Sequence, residues 1–138
     1  MRPTYAVIDL NRLKKNFLNI REKAGKTKIM AVIKADAYGH GVEEVVKALN
    51  SLKEKQPEYY AVAIPDEGIE FRRLNVKQPI LILEPVDVMQ VQKIIDNDLI
   101  ATVFTDKHLG ILLEGTNKHR RENPSYRIKV HVKIDTGM

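Results

Sequence analysis

Lys28-Ile-Met-Ala-Val-Ile-Lys-Ala-Asp-Ala-Tyr-Gly-His-Gly41 is the stretch from which the rest of the chain is read. Between Lys28 and Lys34 the residues are apolar and partly β-branched, and the run is short enough for a buried strand rather than a helix. Lys34 then falls at the strand's C-terminal end. Gly39 and Gly41 supply positions that tolerate positive φ, and an amphipathic run begins at Val42. The unit reads as strand, tight loop, helix, which is where α/β proteins gather their reactive groups. On the residues alone two readings of Lys34 stay open. One is a functional amine; the other is a strand-end lysine that buries its methylene stem and lets the ammonium reach water.

Working outward, the spacing predicts a leading strand over Tyr5–Leu10. A helix comes next, capped by Asn11, with Leu13, Phe17, Ile20 and Ala24 on one face and Gly25 at its end. Val42, Val45, Val46, Leu49 and Leu52 form one helical stripe. Beyond Gln56-Pro57, Tyr59–Ile64 reads as a strand, and Pro65-Asp66-Glu67 opens a helix with its acids against the positive end of the dipole. Pro79–Leu83 is a short apolar strand, 86–96 a helix, Leu99–Phe104 a strand, and Asp106 caps a helix running to about Gly115. In Tyr126–Asp135, Val130, Val132 and Ile134 alternate with His131, Lys133 and Asp135, so one face is aliphatic and the other ionisable. In a parallel barrel the aliphatic face goes to the helices and the ionisable face inward. Alternation of strand and helix without consecutive hairpins argues for α/β architecture with a parallel sheet. The count is about five barrel-type strands after the leading one, against eight in a complete (β/α)8 barrel of about 250 residues.

The chain has 138 residues, enough for one domain with a core. It contains no cysteine, which removes disulfides, thiolate metal sites and cysteine nucleophiles, and fits a cytoplasmic protein. No apolar run approaches a membrane span, and no signal core comes after the start. The net charge of +5 invites a nucleic-acid partner. However, the densest basic cluster, Lys118-His-Arg-Arg121, sits beside Asn123, Pro124 and Ser125 without interleaved aromatics, and reads as a solvated loop. His108 and His119 read as surface residues, Asp36 as a loop acid, and His40 as a holder of local structure. No His, Asp and Glu spacing suggests a metal site, and no Gly-rich loop matches a Walker or dinucleotide fingerprint.

Val32-Ile-Lys-Ala-Asp-Ala-Tyr-Gly-His-Gly41 resembles the cofactor-attachment segment of alanine racemases, the barrel-type pyridoxal phosphate enzymes. Lys133-Ile-Asp-Thr-Gly-Met138 resembles the end of that family's fifth barrel strand. The resemblance implies a TIM-type barrel of which residues 1–138 are the N-terminal portion, with a C-terminal β domain outside this chain. It implies that Lys34 forms the internal Schiff base with pyridoxal phosphate and serves as a catalytic base, and that Tyr38 hydrogen-bonds the cofactor phosphate. Lys133 aligns with a lysine that is carbamylated in some members, where it orients an arginine near the substrate carboxylate. That arginine, the second base and the phosphate-binding loops would lie past Met138. The implied whole protein interconverts L- and D-alanine as a cytoplasmic homodimer whose product goes to cell walls, and the piece alone is inactive. Rival readings are a broad-specificity amino acid racemase, a cofactor-homeostasis barrel protein, and a non-catalytic binding module with a structural Lys34.

Overall fold

The computed structural model describes residues 4–137. Five short strands, β1 (Met30–Val32), β2 (Tyr59–Val62), β3 (Ile80–Ile82), β4 (Ala101–Val103) and β5 (Val130–Val132), all pair in parallel. The first three form one ladder and the last two another. A bridge between Leu81 and Ile100, with Ile82 N–H and Ile100 N–H donating across at 2.8 Å each, joins them in the order β1-β2-β3-β4-β5. Parallel neighbours need crossovers, which the helices supply: α3 (Val42–Asn50), α4 (Pro65–Arg73), α5 (Val91–Asp96) and α6 (Asp106–Arg120).

The period of two along each strand sorts side chains into two layers. Tyr60, Val62, Ile80, Ile82, Ala101 and Val103 turn to the helices and join Val45, Val46, Leu49, Phe71, Val91, Ile94 and Leu112 in the main core. Ala61, Leu81 and Ile100 cluster on the opposite face with Met30, Tyr59 and Leu83. Tyr60 is fully buried and its hydroxyl donates to Asn50 Oδ1 at 2.9 Å. Burial pushes its phenol far above its ordinary pKa, so it is a structural hydrogen-bond donor. Arg72 donates to four carbonyls, those of Asn97, Val76, Gln78 and Asp98, at 2.8–2.9 Å, closing the loops that enter β3 and β4.

Several expectations change. Thr4–Asp9 forms no strand; a strand exists only through partners, and no described residue pairs with this segment, whose Tyr5 and Val7 stand open to solvent. The cap of α1 (Leu10–Ala24) is Asp9, whose Oδ1 accepts from Asn11 N and Arg12 N, rather than Asn11. The helix expected from 86 begins at Val91, because Asp87 and Gln90 exchange side-chain to backbone bonds in a turn that competes with a helical start. Thr105, not Asp106, caps α6. That helix runs through Gly115 to Arg120, so Lys118, His119 and Arg120 form its last turn, against the negative end of its dipole, instead of a loop. His108 and His119 are half-buried, their rings edge-on to Phe104 and Tyr126 at 4.5 and 4.7 Å.

Candidate active site

Register places the strand ends. Met30 pairs with Tyr59 and Val32 with Ala61, so Met30 and Val32 lie on the face away from the helices, and Lys34 follows just past the C-terminal end of β1. Thr102 pairs with His131, and Lys133, two residues on, shares that face. Lys34 and Lys133 thus stand at the same C-terminal edge of one parallel sheet, at its two ends.

The backbone immediately beyond Lys34 turns with the rarer hand. Ala35, Asp36, Ala37 and Tyr38 all have φ between 50° and 56°, with ψ from 37° to 57°, which makes α2 (Lys34–Gly39) one turn of left-handed helix. For L-residues this hand costs about 1–2 kcal/mol each, on the order of 4–8 kcal/mol for the turn. Local bonds hold it. Ala37 N–H donates to Ile33 O, Gly41 N–H to Asp36 O, and His40 N–H to Ala37 O. Asp36 Oδ1 accepts from Val42 N at 2.6 Å and so starts α3. His40 Nδ1 lies 2.9 Å from Ala37 O and 3.2 Å from Tyr38 O; both are carbonyl acceptors, so Nδ1 carries the proton. The loop reading of Asp36 and the structural reading of His40 both hold. Ile33 and Ala37 sink into the core and anchor the base of the turn. At about 3.6 residues per turn, positions 34 and 38 return to the same side of the loop.

Lys34 is half-buried, and its amine makes no hydrogen bond or ion pair among the described residues. Tyr38 is 59% exposed and its hydroxyl is likewise unengaged by described residues. Lys133 is exposed, its Nζ 5.7 Å from the centre of the Phe104 ring. Sequence reasoning missed Glu67. Its Oε1 accepts from Ala35 N at 2.7 Å, and its Oε2 from Ala63 N at 2.7 Å and Ile64 N at 3.3 Å. Position N3 of a helix hinted at a bond to its own N-cap; nothing local pointed to a partner 32 residues away. Among the described residues no group of three or more His, Cys, Asp or Glu could hold a metal ion, and no helix is long and apolar enough to cross a membrane.

A parallel α/β sheet with an unengaged amine at the C-terminal edge of a strand belongs to the class of parallel α/β folds that gather reactive groups on that edge. The family model described as the alanine racemase N-terminal domain matches residues 8–138, and the chain belongs to this family. It is 42% identical to the alanine racemase of Halothermothrix orenii, over 99% of this chain and 34% of that protein. It is 39% identical to alanine racemase 1 of Caldanaerobacter subterraneus subsp. tengcongensis, over 100% of this chain and 34% of the relative. The crystal structure of alanine racemase from E. faecalis superposes with a TM-score of 0.79 at 35% identity, over 95% of this chain and 34% of the other. The chain spans about a third of the length of these relatives.

Proposed function

We propose that residues 1–138 are the cofactor-holding N-terminal portion of the (β/α)8 barrel of a pyridoxal phosphate-dependent alanine racemase. The observation that carries this reading is the Lys34 amine, unengaged by described residues and set at the strand edge by a turn of costly hand, in a chain of the alanine racemase family. An aldehyde cofactor needs such an amine, reachable and not tied up in an ion pair, and so the residues present fit it.

Pyridoxal phosphate, when bound, supplies the electron sink that makes an amino acid Cα proton removable. Lys34 would hold it through its amine, and that amine, when free, would take or return a proton at the substrate Cα on one face. Tyr38 would donate its phenolic O–H to the phosphate. Lys133, carbamylated, would turn a cation into an anion able to orient an arginine at the substrate carboxylate. A cytoplasmic homodimer making D-alanine for cell walls belongs to the same reading, and its support is the family.

The test is direct. Full-length protein mixed with pyridoxal phosphate should develop an absorbance band near the visible edge and convert L-alanine to D-alanine. Folded full-length protein that does neither overturns the reading in favour of a binding module.

A further inference from the structure

The left-handed turn is held mostly by itself. Ile33 O, Ala37 O, Asp36 O and the Asp36 carboxylate take the N–H groups of Ala37, His40, Gly41 and Val42, all within residues 33–42. Those bonds shape the turn from within, and the buried Ile33, Ala37 and Val42 seat its two ends in the core. The bond from Ala35 N–H to Glu67 Oε1 is of another kind, because it joins the residue next to Lys34 to a separate helix, α4. The other oxygen of the same carboxylate holds Ala63 and Ile64, the residues that leave β2. One side chain therefore ties the ends of two neighbouring strands to the first turn of a helix.

From this geometry we infer that Glu67 is a positioning residue, which sets the direction in which Lys34 leaves β1 and thereby the approach of its amine to the cofactor. The inference rests on the cofactor role proposed for Lys34. A glutamate at N3 ordinarily turns back to its own N-cap. Here that needs only Oε2, and Oε1 is directed to the residue next to Lys34. A carboxylate suits the place because three N–H donors converge on it and it has acceptor sites for all of them with no donor of its own. An amide would turn an NH2 group toward one of those N–H groups.

The experiment uses the full-length protein with pyridoxal phosphate as the probe. In Glu67→Gln the Ala35 amide should exchange its hydrogen faster than in wild type. Attachment of the cofactor, tracked by absorbance, should be about tenfold to a hundredfold slower, the scale on which small misplacements of reacting groups act. Losing part of the helix cap should lower the variant's thermal midpoint, whereas Glu70→Gln, an exposed change on the same helix, should leave both midpoint and attachment at wild-type values. Wild-type attachment rates in Glu67→Gln overturn the inference alone. A lower thermal midpoint with Ala35 exchange unchanged makes Glu67 a helix cap only, and also overturns it. Should Glu67→Gln fail to fold, Glu67→Asp, which keeps the charge but draws the carboxylate back by one methylene, takes its place with the same outcomes. Wild-type protein that takes up no cofactor sinks the functional reading and this inference with it.

Discussion

Lys34 and Lys133 follow parallel strands at the same C-terminal edge of the sheet, yet their surroundings differ. Beyond Lys34 the backbone is closed by Asp36, by His40 and by Glu67, and Ile33 just before it and Ala37 just after it are rooted in the core. Beyond Lys133 the chain is exposed through Gly137, with a local bond from Gly137 N–H to Asp135 Oδ1. Lys133 itself lies over one ring, a contact worth about 0.5–1 kcal/mol at an open site. Topology offers both positions to chemistry. At Lys34, anchoring of the backbone on both sides preorganises the amine.

Exchanging the two lysines, one at a time, in the full-length protein tests that contrast most severely. Lys34→Ala should abolish the cofactor band and lower kcat by about 10^2–10^4-fold or more, whereas Lys133→Ala should keep the band. Equal loss of the band in both, read by absorbance, would erase the distinction. Next in size, Asp36→Ala leaves the partly buried Val42 N–H without its acceptor and should destabilise by about 1–3 kcal/mol in denaturant titration. Thr136→Ala at the other corner should stay within about 0.5 kcal/mol. Gly41 has φ +85°, and Gly41→Ala should cost about 1 kcal/mol by the same measurement.

The smallest effect belongs to the opposite edge of the sheet and serves as a control on both corners. The Arg21 guanidinium, 2.7 Å away, together with the Ile29 N–H, holds the Glu58 carboxyl below its usual range. A carboxyl whose pKa is lowered by folding adds stability that is present above its unfolded pKa and fades as pH falls through and below about 4. Glu58→Gln should therefore flatten the acid limb of a plot of thermal midpoint against pH. Because the pair is partly open to solvent the change should be slight.

The strand and helix alternation was legible because it depends on local pattern: the apolar runs ending at Lys34, Ile64 and Phe104 and the stripe from Val42 to Leu52 each carry their own period. The hand of the turn was not. Gly39 and Gly41 announced positive φ, but alanine, aspartate and tyrosine at 35–38 do not, since their own sterics oppose it and the bonds that enforce it come from the fold. Gly115 misled in a different way. It reads as a helix stop, yet it sits inside α6 because a Cβ there would stand 2.4 Å from a Val91 methyl on α5, so the glycine marks a close crossing of two helices. At the candidate site, the lysine and tyrosine could be named from their motif. Glu67 could not, because its partner is remote in sequence and the contact exists only once β1 and β2 lie side by side.

The mirror hand of α2 also governs what the chain can accept there. Valine, isoleucine or threonine at 35 or 37 would crowd the following carbonyl more than alanine does, so variation in this stretch is filtered by backbone shape before any chemistry is consulted. A D-alanine introduced at either place by peptide ligation would match the backbone better than its L twin. For four residues this protein asks for the enantiomer that ribosomes do not supply.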